Sequence, residues 1–390
     1  MTGSKFGNMR LKYVCDILDE KRKPIPANQR NQDADVLYDY YGASGRIDTI
    51  DGFTIDDHVM LVGEDGANLK LRNLPLVYEV TGKAWINNHA HILKPKTENC
   101  FRFVFHAIEN EDINSFITGS AQPKLSQENL KNIQIPHPSY DEQCRIADFL
   151  DKKCAEIDSL TADVQKEIET LQEYRRSLIT EAVTKGLDPN VEMKDSGIPW
   201  LGLVPAEWKT SKVKYVAQIS TIRALTNDGY IGLENIESWT GKIIESNVDP
   251  TGDSIAFKKG DVLFGKLRPY LAKSFVADKD GCGSTEFLVM HPRQIESCYL
   301  GYVNKCKPYV DMINESTYGA KMPRANSSFI GNMAVPLPDI KTQLLISAFL
   351  DKKCAEIDSV IETKQKQLET LAEYRKSLIY EYVTGKKEVV

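Results

Sequence analysis

The fold of this chain is decided by Phe149-Leu150-Asp151-Lys152-Lys153-Cys154-Ala155-Glu156-Ile157-Asp158-Ser159, because the same eleven residues return unchanged at 349–359. Around them, 25 of the 36 positions in 149–184 match 349–384 without a gap. Solenoid proteins repeat every roughly 20 to 50 residues, so a period of 200 residues is too long for a solenoid unit. The repeat predicts a protein with two equivalent halves, and such a protein suits a target that also has two halves.

Both copies of the repeat have the apolar spacing of long helices that pair with another helix. One core position of a heptad is filled by Leu150, Ile157, Val164, Leu171 and Leu178 in the first copy and by Leu350, Ile357, Leu371 and Leu378 in the second. Ser139 and Asp339 follow prolines and carry side-chain oxygens that can cap a helix start. About 45 residues at about 1.5 Å each give a rod of roughly 65 Å. The pattern predicts a coiled coil; the alternative is two long helices that each lie on their own domain.

The two helices are expected to pair in opposite directions. About 150 residues separate them, and the ends of a compact domain of that size often lie close together. The second helix should therefore begin near the point where the first one ends. This predicts four segments with pseudo-two-fold symmetry: a globule at 1–138, a central helical spacer at 139–186, a second globule at 187–338 and a distal helical spacer at 339–390.

The two globules have the marks of divergent copies. Leu11-Lys12-Tyr13-Val14 matches Val213-Lys214-Tyr215-Val216, and Gly119, Pro123 and Lys124 recur 200 residues later as Gly319, Pro323 and Arg324. Both globules hold short alternating runs that predict strands, with fewer helical stretches. The fold class predicted is mixed α/β: two globular α/β domains joined by two long helices that form an antiparallel coiled coil. Near-identical spacers with unlike globules are typical of a recognition device.

Composition sets broad limits on function. Apolar residues make up 42% of the chain and charged residues 27%, and no run of about 18 apolar residues predicts a membrane span. The first ten residues have no apolar segment of the kind found in signal peptides, and eight scattered cysteines indicate free thiols, so a cytoplasmic protein is expected. A net charge of −6 argues weakly against DNA binding by bulk charge, although a near-neutral globule can still present a local basic face.

Polar and cationic residues on turns of the globules are the candidate base contacts. Lys266, Arg268 and Tyr270 follow the apolar run 262–264, and Asn87-Asn88-His89 follows another at 85–86. Cations and side-chain amides on a turn suit phosphate contact and base readout, while the alternative is an ordinary solvated turn. The complete set of candidates is Asn87, Asn88, His89 and Lys124 in the first globule and Lys266, Arg268, Tyr270, Thr285 and Arg324 in the second.

Motifs of catalysis and cofactor binding are missing from the sequence. Residues 260–267 fit the glycine and lysine spacing of a phosphate-binding loop, but Leu267 replaces the Ser or Thr that holds magnesium, and a buried strand is the better interpretation. His89-Ala90-His91 has no evident third metal ligand. The chain has no Asn-Pro-Pro-aromatic methyltransferase motif, no glycine-rich cofactor loop and no His-Glu-x-x-His. We therefore expect no catalytic site, metal or cofactor in this chain.

Several of these segments resemble the specificity subunit of type I restriction–modification systems. The resemblance lies in the helix starts from Ile135-Pro136 and Val335-Pro336, in Leu171-x-Glu173-Tyr174-Arg175-x-Ser177-Leu178-Ile179, in 194–202 and in 260–270. It implies that each globule is a target recognition domain reading one half of a bipartite, asymmetric DNA site, with the helices as the spacer. It also implies two methylase subunits that supply adenine methylation, and restriction and translocase subunits that join through them. The alternative is a coiled-coil scaffold without sequence-specific DNA binding.

Overall fold

The computed structural model describes residues 5–226, 229–244, 253–319 and 321–389. The chain divides into two compact units, one of Met1–Val164 with Lys366–Val390 and one of Gln165–Gln365. Each unit holds one globule and one half of each long helix. The division therefore falls within the helices and not at the ends of the globules.

The first unit consists of short strands and helices followed by one long helix. Its strands are β1 (Asn8–Arg10), β2 (Cys15–Ile17), β3 (Tyr38–Gly42), β4 (Gly45–Ile50), β5 (Ile55–Gly63), β6 (Val77–Ile86), β7 (Ala90–Pro95), β8 (Ile117–Thr118), β9 (Lys124–Leu125) and β10 (Gln134–Pro136). Its helices are α1 (Leu11–Val14), α2 (Asn68–Leu71), α3 (Phe101–Asn110), α4 (Gln127–Asn132) and α5 (Tyr140–Lys185), of which α5 continues into the second unit.

The second unit likewise consists of short strands and helices followed by one long helix. Its strands are β11 (Met193–Asp195), β12 (Leu203–Pro205), β13 (Lys209–Lys212), β14 (Ala217–Ser220), β15 (Tyr230–Ile231), β16 (Ser254–Phe257), β17 (Val262–Gly265), β18 (Ser274–Val276), β19 (Gly281–Ser284), β20 (Phe287–Pro292) and β21 (Ala334–Leu337). Its helices are α6 (Val213–Val216), α7 (Ser297–Val303), α8 (Lys307–Glu315), α9 (Ser327–Asn332) and α10 (Ile340–Val383), of which α10 returns to the first unit.

A shared block of four strands shows that the globules are copies of one design. The first sheet has the order β2-β7-β5-β6-β3-β4, and the second has β14-β20-β17-β18, with a separate sheet β15-β19-β16. The register is shared as well: Gly63 lies opposite Ala90 in one sheet, and Gly265 lies opposite Phe287 in the other. The central strand β17 is buried along its whole length, as expected for residues 262–264. The mixed α/β class and the divergence of the two globules are confirmed, and the differences lie beyond the shared block.

The long helices are antiparallel, as predicted, and each unit shows this by itself. In the first unit the rings of Phe149 and Tyr382 lie 4.4 Å apart, and Asp158 Oδ1 lies 3.4 Å from Arg375 Nε. Moving up α5 from 149 to 158 therefore means moving down α10 from 382 to 375. The second unit shows the same direction, because Glu167 pairs with Lys364, and Arg175 Nε lies 3.4 Å from Asp358 Oδ1.

The predicted heptad positions face inward to different degrees. Those that are buried are Leu150, Ile157, Val164, Leu350, Ile357 and Leu378, and those that are half-buried are Leu171, Leu178 and Leu371. The helix ends also belong to the cores of the globules: Leu150 and Ile379 lie in the core of the first unit, and Ile179 and Leu350 in that of the second. A shared core fixes each globule rigidly to the ends of the helices that it contacts.

A buried glutamine joins each globule to the start of its helix. Gln143 Oε1 accepts from the amide of Cys100 at 2.9 Å, and its Nε2 donates to the Pro138 carbonyl at 3.0 Å. Gln343 repeats both bonds, with the amide of Glu296 and the carbonyl of Pro338, each at 2.8 Å. A buried amide that lost these partners would carry an unpaired polar group, so the glutamines fix the angle at which each helix leaves its globule.

Polar side chains engage the first turns of both long helices. Asp339 accepts from the amides of Lys341 and Thr342 at 3.0 and 3.1 Å, which is the capping role expected of it. In the first turn of α5, Glu142 forms an ion pair with Arg145. All eight cysteines are free thiols. Within the described part of the chain, every helix is too short or too polar to pass through a lipid bilayer.

The repeated arginines provide a matched test of the helix pairing. Arg175 is 7% exposed, pairs with Asp358 and donates from Nη1 to the carbonyl of Trp239 at 3.2 Å. Its copy Arg375 is 37% exposed and faces Asp158. Arg175→Ala is therefore expected to lower the free energy of unfolding by about 3 kcal/mol. Arg375→Ala should lower it by less than about 1 kcal/mol. Urea unfolding measures both values. An equal decrease in the free energy of unfolding for both variants would show that the two ion pairs contribute equally to stability and would contradict the prediction.

Candidate nucleic-acid interface

The candidate residues of the first globule meet at the end of the sheet where β5 stops and β7 starts. Lys124 Nζ lies 3.1 Å from Glu64 Oε1, and His89 Nδ1 lies 2.7 Å from Asp65 Oδ2. The Glu64 amide also donates to the His89 carbonyl at 2.8 Å. The turn at 87–89 and Lys124, which are far apart in the sequence, therefore form one surface.

Asn87 takes a different place from the one expected of it. Its side chain is 5% exposed, and its Oδ1 accepts from the amide of His89 at 2.8 Å. The amide group that was expected to face a base thus shapes the turn instead, while Asn88 and His89 are exposed. Asn87 therefore supports the surface and does not face solvent.

Arg22 belongs to this surface, although the sequence did not single it out. Its guanidinium donates to Glu64 and, at 3.3 Å, to the carbonyl of Asn88. Burial raises the pKa of Glu64, but hydrogen bonds from Arg22 and Lys124 outweigh burial and hold that pKa below its ordinary value. Glu64 therefore stays ionised and holds two cations beside the exposed turn.

His91 is a structural residue of the core. It is 1% exposed, with Nδ1 2.7 Å from Asp19 and Nε2 2.9 Å from the carbonyl of Leu125. Its neighbour His89 lies on the surface. Across residues 5–226, 229–244, 253–319 and 321–389, no three His, Cys, Asp or Glu side chains are grouped to hold a metal ion.

The candidate residues of the second globule meet at the matching end of its sheet. The Lys266 amide donates to the carbonyl of Glu286 at 2.8 Å, and the Ala325 amide donates to the carbonyl of Lys266 at 2.9 Å. These bonds join the segment after β17 to the turn before β20 and to residues 323–325. Thr285 is exposed in that turn, and Tyr270 is 44% exposed beyond β17.

A carboxylate again holds the cation at this surface. Arg324 Nε donates to Glu286 Oε2 at 2.8 Å, and Nη2 contacts Oε1 of the same carboxylate. Lys266 lies close by, half-buried, and burial together with the charge of Arg324 lowers its pKa. Glu286 was not among the sequence candidates.

Backbone hydrogen bonds show that the two surfaces are equivalent. The amide of Gly66 donates to the Pro123 carbonyl at 3.1 Å, and that of Arg268 donates to the Pro323 carbonyl at 2.8 Å. We call residues 64–66, 87–89 and 123–124 the first loop edge, and residues 266–268, 284–286 and 323–324 the second loop edge. The backbone frame, meaning the hydrogen-bonded main chain of these segments, is the same in both loop edges, and the side chains that it carries differ.

Arg268 has a strained backbone that its counterpart avoids. Its φ is +52°, in the left-handed region, and the equivalent Gly66 has a φ of +104°. A side chain in that region costs roughly 1–2 kcal/mol, which glycine does not pay. The exposed guanidinium is thus kept at a position that would be more stable with glycine, which is typical of a functional residue.

The two edges have side chains of the kinds that can contact bases and phosphates. Each presents a partly exposed cation beside polar side chains on turns that the sheet holds in place. Cations and hydroxyls of this kind bind phosphate oxygens and the acceptors on guanine. No catalytic group is needed for that task.

Comparison with known proteins now identifies the family. The sequence model for the type I restriction modification DNA specificity domain matches residues 3–170 and again 205–370. The chain belongs to this family. Each match covers one globule with a large part of a long helix, so the family unit is the repeated half seen in the structure.

Individual relatives agree with this assignment. A putative type I restriction enzyme specificity subunit, S.HindORF215P of Haemophilus influenzae, is 32% identical over 151 residues, or 39% of this chain and 38% of that protein. The EcoDI specificity subunit of Escherichia coli is 23% identical over 357 residues, covering 84% of this chain and 78% of that protein. A structure solved in a study of complex assembly in the type I restriction–modification system has the same fold, with a TM-score of 0.68 at 14% identity over 98% of both chains.

Replacing Arg268 tests whether its backbone is strained. Arg268→Gly is expected to raise the free energy of unfolding by about 0.5 to 1 kcal/mol, because glycine adopts a positive φ at little cost. Arg268→Ala keeps the Cβ atom and should give no such gain. Thermal unfolding of the two variants measures the difference, and equal stability of the glycine and alanine variants would contradict it.

Proposed function

We propose that this chain is the non-catalytic specificity subunit of a type I restriction–modification complex, and that each globule reads one half of a bipartite, asymmetric site in double-stranded DNA. The observation that carries the proposal is the pair of loop edges, which share backbone contacts and differ in side chains. A shared frame presents each edge to DNA in the same way. Different side chains on that frame select different half-site sequences.

The charge distribution supports local contacts in place of a broad basic face. Lys124 in one globule and Lys266, Arg268 and Arg324 in the other are the cations of the two loop edges, whereas the whole chain has a net charge of −6. Phosphate contacts supply much of the affinity of a DNA-binding protein. We therefore propose that the partner subunits supply part of the contacts to the DNA phosphates.

The repeated helix provides a place for two copies of one partner. Lys152, Ala155, Glu156 and Ser159 are exposed, and so are their copies at 352, 355, 356 and 359. Packing within the chain does not require identity at exposed positions, but a partner that binds twice does. We propose that each copy binds one methylase subunit, which supplies adenine methylation, and that restriction and translocase subunits join through the methylases.

Methylation mapping tests the reading of DNA. The chain with its methylase subunits and S-adenosylmethionine should methylate adenines only within one two-part sequence of fixed gap, and binding to that sequence should weaken steeply with salt. The chain without methylase should methylate nothing. A coiled-coil scaffold would instead give a complex that is indifferent to DNA sequence, and that result would rule out the proposal.

The surface of the repeated helix is tested by placing a charge on it. Leu160 is 52% exposed beside the repeated residues, and Leu160→Glu is expected to reduce bound methylase from two subunits to one. Val360→Glu should do the same at the other copy. Ala162→Glu is the matched control, because position 362 already holds glutamate. Native mass spectrometry counts the subunits, and two bound methylases on the Leu160 variant would refute this docking site.

A further inference from the structure

One edge of the Arg324 guanidinium is occupied by the carboxylate of Glu286, while the side chain remains partly exposed. Nε and Nη2 both engage Glu286, and the Arg324 side chain remains 45% exposed. A guanidinium carries five N–H donors in one plane. Binding along the Nε side leaves both protons of Nη1 and the second proton of Nη2 without a hydrogen-bond partner among the described residues, so that they can form a second pair of parallel hydrogen bonds.

The backbone fixes both partners of this pair. Glu286 accepts from the amide of Lys266 through its carbonyl, and the residue after Arg324 donates its amide to the carbonyl of Lys266. Glu286 and the segment that contains Arg324 are therefore both held by the backbone of Lys266, one at its amide and the other at its carbonyl. A guanidinium that is held in this way loses little conformational entropy when it binds a ligand.

The carboxylate favours a base over a phosphate as that ligand. A phosphate would experience repulsion from Glu286, and phosphate contact does not require a fixed plane. The O6 and N7 atoms of guanine are two uncharged acceptors in one plane, matched by the end of a guanidinium. Each such paired contact discriminates against other bases by about 1–3 kcal/mol.

We propose that Arg324 reads a guanine in the half-site of the second globule, and that Glu286 is the positioning residue that orients its guanidinium. This inference rests on the proposed function and names one base within it. The first loop edge has a related carboxylate in Glu64, but its partner Lys124 is a point donor without a fork. Its other partner, Arg22, is only 17% exposed, and its guanidinium also donates to the carbonyls of Asp19 and Asn88. The guanine contact is therefore assigned to the second globule.

The experiment uses the complex of this chain with its methylase subunits, S-adenosylmethionine and fragmented genomic DNA. Sequencing of methylated fragments gives the two half-sites for the unchanged chain, Glu286→Gln, Arg324→Lys and Glu64→Gln. We expect one guanine whose preference falls at least about tenfold in Glu286→Gln and Arg324→Lys. The other half-site should stay unchanged in both variants, which also shows that they are folded. Glu64→Gln should alter only that other half-site.

The opposite outcomes are distinct. If Arg324→Lys keeps every base preference and binding weakens equally on all sequences, Arg324 contacts phosphate and the inference is overturned. If Glu286→Gln leaves the guanine preference intact while Arg324→Lys lowers it, the positioning role of Glu286 is overturned. If the unchanged chain directs no two-part sequence at all, the proposed function fails and the inference fails with it.

Discussion

The antiparallel pairing of the two copies of one helix is the constraint on which the rest of the structure depends. The same arginine and aspartate positions meet twice, as Arg175 with Asp358 and as Asp158 with Arg375. Because the helix ends also lie in the cores of the globules, the pairing holds the globule of each unit against the helix segments of that unit. The buried Gln143 and Gln343 repeat this coupling at the helix starts.

Duplication of the backbone also explains how one fold can serve for the recognition of two different DNA sequences. The sheet register and the backbone bonds of the loop edges are duplicated, whereas the side chains on those edges have diverged. Glu64 occupies the place of Lys266, and Gly66 occupies the place of Arg268. A carboxylate nevertheless holds a cation in both edges, although it comes from the segment after β5 in one and from the turn before β20 in the other. Family membership is in keeping with this duplication, since the family model matches each half separately.

Much of the fold was predictable because it depends on the local apolar periodicity and on the repeat. The heptad and the capping residues predicted the long helices, and the size of the intervening segment predicted their direction. Lys124 and Arg324 were found by their 200-residue spacing. Arg22 and Glu286 were missed, because their partners are 42 and 38 residues away and meet them only through the sheet. The burial of Asn87 was not foreseen, since a polar residue at a turn has the same sequence signal whether it faces solvent or bonds its own turn.

Cysteine cross-linking tests the antiparallel pairing most directly. In a chain carrying Asp158→Cys and Arg375→Cys, the antiparallel pair predicts a disulfide under mild oxidation, because these side chains face each other. A chain carrying Asp158→Cys and Asp358→Cys joins the same position of the two repeats and should form none. Gel mobility after oxidation distinguishes the two. Efficient cross-linking of 158 to 358, without cross-linking of 158 to 375, would show a parallel pair and contradict the structure.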